Sequence, residues 1–123
     1  MLLLPHSIVF YELEPIGEFF PVSSIVKAAK KVKDGLGVSI AGAPANSKLV
    51  KVYLTSKQVA GRAVFLVQLR EGYIIPIVVR LKKDDIGKNI TPQNKAFIAV
   101  VEKNLALVAQ DLANGSFDLL SLK

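Results

Sequence analysis

Three aliphatic runs lie so close together that their pairing is nearly forced. Residues 49–55 (LVKVYLT), 62–69 (RAVFLVQL) and 73–82 (YIIPIVVRLK) are separated only by SKQVAG and REG. Connections this short join neighbouring antiparallel strands. A chain with such a meander must cover it, so the rest of the sequence is read as whatever packs on or beside that sheet.

Side chains alternate between faces along a strand, and a one-residue slip would put half of the apolar set in water. Ala63, Phe65, Val67 and Leu69 share one face of the second run; Tyr73, Ile75, Ile77, Val79 and Leu81 share one face of the third. A three-residue REG loop with Gly72 in the left-handed conformation brings these sets together, with Leu69 opposite Tyr73. Counting back then sets Arg62 opposite Arg80 on the other face, with Lys82 one step further. In the first run Val50, Val52 and Leu54 form the core face, which leaves Lys51, Tyr53 and Thr55 beside Arg62. Like charges opposed across a sheet cost stability. Two readings remain: both arginines extend into solvent, or an anion sits between them. An open concave face holding both would favour the anion; an acid sealing either would favour a solvated strand end.

The remaining elements follow from pattern. SIVFYEL (residues 7–13) reads as a first strand, rich in β-branched and aromatic residues. EPIGEFFPV turns the chain, and Ser23 or Ser24 caps a helix to about Leu36, with Ile25, Ala29, Val32 and Leu36 at helical spacing. GLGVSIAGAPANS is a connection. Thr91 caps a last helix with Pro92 at its first position and Gly115 as its stop. Phe97, Val101, Leu105, Val108 and Leu112 form its apolar stripe. The expected order is β-α-β-β-β-α, an α+β domain over residues 1–123 with an antiparallel sheet, helices on one face and a basic open face.

The net charge of +6 is uneven. Residues 1–26 carry three acids and no Lys or Arg, whereas residues 27–103 carry 15 of the 16 basic residues and 5 acids. Such asymmetry points to a polyanionic partner, nucleic acid before a membrane surface, against the alternative of a generally solubilising exterior. Cysteine is absent and His6 is the single histidine. Disulfides and thiolate chemistry are excluded, and no metal or cofactor is expected. MLLLP lacks a basic flank and a cleavage-like site, and no run reaches the roughly 18–20 apolar residues of a membrane span. A cytoplasmic protein with no membrane partner is therefore expected. GLG and GAP match no phosphate loop, and no serine or threonine sits in a recognisable nucleophile motif. Glu12 and Glu14 read as a solvated or ion-paired strand end.

The motifs VFYELEPIGEFFPV, GRAVFLVQL and IVVRLKKDDIGKNITP, taken in order, resemble the RelE/ParE toxin superfamily, with its HigB-like branch closest. That resemblance implies metal-independent cleavage of mRNA, often on the ribosome, by attack of a ribose 2′-hydroxyl on the adjacent phosphate. It implies that Arg62 and Arg80 clamp the phosphate, Arg favouring bidentate geometry. Lys82 and Lys83 match the Lys-Lys element that holds RNA or stabilises the leaving oxygen, and Lys88 follows in the same turn. Lys51 and Tyr53 adjoin this row as RNA contacts. An antitoxin would cover the basic face. Two features depart from the family. Only one helix is expected between the first strand and the GLGVSIAGAPANS connection, where members have a helical hairpin. The tail NGSFDLLSLK also lacks the Tyr or His that many members use for proton transfer, a place Tyr53 could take by position. The alternatives are a non-catalytic module binding nucleic acid or protein, and a small structural protein forming a homodimer.

Overall fold

The computed structural model describes residues 1–56 and 59–122. Among these, six strands form one open sheet in the order β2-β3-β4-β5-β1-β6. The strands are β1 (Leu2–Pro5), β2 (Val38–Ile40), β3 (Ser47–Thr55), β4 (Ala60–Gln68), β5 (Ile74–Leu81) and β6 (Phe117–Leu120). The meander read from residues 49–82 is present, β3 to β5 pairing antiparallel. Part of its first connection, residues 57–58, lies outside the described residues. The sheet is mixed rather than purely antiparallel, because β1 inserts parallel to β5, with Leu2 opposite Ile74. On its other side β1 pairs antiparallel with β6. Leu2, Leu3 and Leu4 are all buried, as expected for a strand covered on both faces.

The segment expected as the first strand is helical. An α turn, α1 (His6–Ile8), runs into a π segment, Val9–Leu13, and a 3-10 turn, Glu14–Ile16. Ile8, Leu13 and Ile16 face the core from this path, and the wide π turn buries the successive residues Glu12 and Leu13 together. Asp111 fastens its start: one carboxylate oxygen accepts the Ser7 N–H at 2.8 Å and the other the Ser7 hydroxyl at 3.0 Å. Helix α2 (Val22–Lys33) begins after Pro21 without a side-chain cap, earlier than Ser23 or Ser24 would have placed it. It stops before Leu36, where Gly35 and Gly37 take positive φ. The final helix, α3 (Lys95–Asn114), is capped by Asn94, whose side chain accepts from Ala96 N–H at 3.1 Å; Thr91 and Pro92 sit in the preceding turn. Gly115 ends it at φ 69°, as the sequence indicated.

The helices do not share one face. Ile25, Ala28, Ala29 and Val32 of α2 join Leu2, Leu4, Val50, Val52, Ala63 and Phe65 in one apolar cluster. Phe97, Val101 and Val108 of α3 join Leu3, Leu49, Val64, Leu66, Ile75 and Ile77 in a second. These sets alternate along β1, β3 and β4, so α2 and α3 cover opposite faces. Among the described residues each face of the sheet thus carries a helix, unlike the expected arrangement with both helices on one face and the other open.

The pairing of β4 with β5 also differs from the expected one. Near the turn Val67 lies opposite Ile74, one residue away from the count that put Leu69 opposite Tyr73. Pro76 has no N–H for a ladder, and a bulge follows it: Phe65 pairs Pro76 and Val64 pairs Val78, which leaves Ile77 unopposed. Ile75 and Ile77 therefore face α3, while Val79 faces α2. The carbonyl of Ile77 is taken by Asn104 Nδ2 at 2.6 Å from a side chain only 2% exposed. Asn104→Leu leaves that carbonyl buried without a donor, a loss of about 1–3 kcal/mol. Urea unfolding checks this as a lowered midpoint at unchanged slope.

Candidate functional site

The bulge restores the pairing that matters most for charge. Arg62 lies opposite Arg80, and Tyr53 lies opposite Arg62 on the other side. A row Tyr53–Arg62–Arg80 thus crosses three strands, on the α3 side of the sheet. The three members have different environments.

Arg80 is sealed. Glu12, 3% exposed, accepts from Arg80 Nε at 3.0 Å and from Nη2 at 2.8 Å, the fork-to-carboxylate geometry that arginine favours. The same Glu12 Oε1 accepts the Val79 N–H at 2.9 Å. Asp84 lies 3.7 Å from Arg80 Nη1, and its Oδ1 also receives the Ile86 N–H at 2.8 Å. The Glu12 hydrogen bonds raise the Arg80 pKa above its ordinary value; burial opposes this, and the charges of Glu12 and Asp84 add to it. Two carboxylates therefore neutralise the guanidinium that the sequence paired with Arg62. This is the condition under which the strand end, rather than a two-arginine phosphate clamp, accounts for the opposed charges.

Arg62 and Lys51 are different. The Arg62 guanidinium stands 4.2 Å from the centre of the Tyr53 ring, and Lys51 Nζ stands 5.7 Å from it. Such contacts contribute roughly 0.5–1 kcal/mol at exposed sites. Neither cation has a carboxylate partner among the described residues. Tyr53 itself is 53% exposed.

The lysines after β5 form a separate group. The 82–88 turn folds back over the strand end, and Gly87 lies so close to Leu81 that a side chain has no room there. Lys82, Lys83 and Lys88 surround a shallow cavity of about 420 Å³ floored by Val59, Ala60 and Leu81. Lys88 pairs with Asp85 at 3.4 Å, both exposed. Lys82 and Lys83 have no ion-pair partner among the described residues; Asp84 serves Arg80 instead. The structure thus joins Lys51, Tyr53, Arg62 and Arg80 in one row and places Lys82, Lys83 and Lys88 beyond its Arg80 end.

Sequence reasoning missed Glu12 as the partner of Arg80. Reading residues 7–13 as a strand put Glu12 on a solvated or ion-paired strand end with no partner assigned; the ion pair is present, but the spacing of Ile8, Glu12, Leu13 and Ile16 fits one helical face. The buried Asp111 and Asn104 of α3 also lie outside the apolar stripe read from sequence, and nothing in the linear pattern marks their partners Ser7 and Ile77. His6 is exposed and 3.4 Å from Asp118. No helix among the described residues is long and apolar enough to cross a membrane. No protein-family model matches this chain, and no curated protein and no solved structure matches it.

Proposed function

We propose that this protein binds RNA, without cleaving it, through the Tyr53–Arg62 end of its sheet. The observation that carries this reading is the division of charge along the row. Arg80 is neutralised by Glu12 and Asp84, while Arg62 and Lys51 surround an exposed aromatic ring with no acid beside them. A polyanion with flat bases matches that pairing of cations and ring. Lys82 and Lys83 extend the positive surface past the strand end, where they attract phosphate without fixing its geometry. The site of action is the cytoplasm, with free RNA or the ribosome as partner.

A second reading has one observation in its favour. Two helical stretches, residues 6–16 and Val22–Lys33, stand between β1 and the meander. That is the helical pair whose expected absence separated the sequence from RelE/ParE and HigB-like toxins. In a ribonuclease of that kind Arg62 and Lys82 would serve the scissile phosphate, Arg80 would act only after release from Glu12, and an antitoxin would cover the row. A homodimer would cover it in the structural alternative.

Binding of labelled RNA across a salt series separates these readings. Wild type is expected to bind with a salt-dependent affinity, and Arg62→Ala to reduce the salt slope by about 1 for one lost phosphate contact. Intact RNA after incubation, with and without ribosomes, supports the non-catalytic reading. Cleavage that Arg62→Ala abolishes supports the toxin. Absence of both binding and cleavage removes the two of them.

A further inference from the structure

We infer that the groove between α3 and the 44–47 loop binds a free aliphatic α-amino acid, its side chain against α3, its carboxylate on Arg70 and its ammonium on Glu71. The inference is independent of RNA binding, since it uses no residue of the Tyr53–Arg62–Arg80 row.

The groove lies on the α3 face of the sheet. Its floor is Leu66 of β4 and Val108 of α3, both buried members of the second apolar cluster. Leu105, Ala109 and Leu112 line it from the helix. Gln68 is in phase with Leu66 along β4, and Ser47 with Leu49 along β3, so both emerge on this same face. The wall opposite α3 is held in place by its own bonds. Ser47 Oγ donates to the Pro44 carbonyl at 2.6 Å, and the Asn46 carbonyl accepts the Leu69 N–H at 3.0 Å. Arg70 and Glu71, in the turn after β4, complete the lining. The cavity measures about 290 Å³, which suits a ligand with one short side chain.

The polar groups at this groove select the ligand. Arg70 and Glu71 are exposed, and neither has an ion-pair partner among the described residues, not even the other. The turn occupies the Gln68 main chain, whose N–H donates to Tyr73 at 2.9 Å and whose carbonyl accepts the Gly72 N–H at 2.8 Å. Its side-chain amide remains for a ligand. One cation, one anion and an amide beside leucines match a zwitterion with a branched aliphatic side chain. A guanidinium takes a carboxylate on two parallel bonds. Glu71 supplies the counter-charge for an ammonium and repels phosphate, which sets this groove apart from the basic row. A fatty acid would leave Glu71 against its own carboxylate, and an uncharged apolar ligand would leave both charges unused.

The test titrates the protein with leucine, with isoamylamine, which lacks the carboxylate, and with isocaproate, which lacks the ammonium, following backbone amide shifts by NMR. Leucine is expected to bind roughly tenfold more tightly than either analogue, the worth of one charge-assisted contact. Arg70→Ala is expected to weaken leucine by the same roughly tenfold and to leave isoamylamine unchanged. Glu71→Gln should weaken leucine but strengthen isocaproate. Ala109→Trp, at an exposed position of α3, fills the groove and should abolish binding of all three. Unchanged thermal unfolding of these surface variants separates a lost contact from a lost fold. The inference is overturned if leucine does not bind, or if the three compounds bind equally, which would make the groove merely apolar. Wild-type leucine affinity in any of the three variants overturns it as well.

Discussion

Glu12→Ala is expected to lower the melting temperature by ~10 °C or more. The carboxylate it removes satisfies two Arg80 nitrogens and the Val79 N–H at once. Breaking a buried ion pair from one side costs about 3–5 kcal/mol, because the remaining charge stays desolvated. Arg80 keeps 26% of its side chain in contact with solvent, so the lower end of that range applies. Arg80→Ala in the Glu12→Ala background should cost much less than Arg80→Ala alone, giving a coupling energy of about 2 kcal/mol in a double-mutant cycle. Additive losses would show that the pair contributes little. The pH dependence has a definite sign. A cation whose pKa is raised on folding contributes stability that is complete below its unfolded value and is lost only as pH climbs through the folded one. For Arg80 that window is strongly alkaline, so its own titration should leave stability unchanged from neutrality to about pH 10. Glu12→Gln has a functional consequence as well. It frees Arg80 beside Arg62, and RNA affinity should rise even as the fold weakens, which the same salt titration would read.

The second large effect is expected at Gly87, where alanine should cost about 3 kcal/mol. Its φ is unremarkable; the constraint is space. A β-carbon there would overlap the Leu81 carbonyl oxygen, which already accepts the Asp84 N–H, and would stand 3.1 Å from Arg80 Cβ. Backbone on both sides must move, so no side-chain rotation relieves the clash. Gly115→Ala provides the contrast: it has the left-handed φ of 69° but nothing within 4 Å, and should cost about 1 kcal/mol. Denaturant midpoints of the two variants check the ranking. Equal losses would mean that the 82–88 turn yields easily. Because that turn carries Lys82, Lys83 and Lys88, Gly87→Ala should also change the salt slope of RNA binding.

The opposition of Arg62 and Arg80 was legible in the sequence, though through compensating departures. The loop count was off by one near Gly72, and the bulge after Pro76 shifts the register back by one. The faces were not legible, because alternation assumes an unbroken strand and one wet side. Here β5 is buried on both faces and Ile77 interrupts its period. SIVFYEL misled for a related reason: its residue types favour strands, yet tertiary burial of Ile8, Glu12, Leu13 and Ile16 decides for a helix. The tail FDLL became a strand only because β1 lies beside it, and short-range pattern holds no trace of a partner more than a hundred residues away. The cations of the candidate site were all named from sequence. Which of them remain free depended on Glu12, and that contact spans 68 positions.

The placement of β1 gives the molecule a kinetic character. Its four residues stand between β5 and β6, so one side of the sheet is built from the most distant parts of the chain. Strands β3 to β5 can zip through local turns, but β1 must wait for a neighbour made far later in synthesis. Closing such a loop demands chain entropy before any contact rewards it. Refolding should therefore proceed through an early meander and a slow final docking of the amino-terminal strand, and until then β5 offers an uncovered apolar edge to other chains.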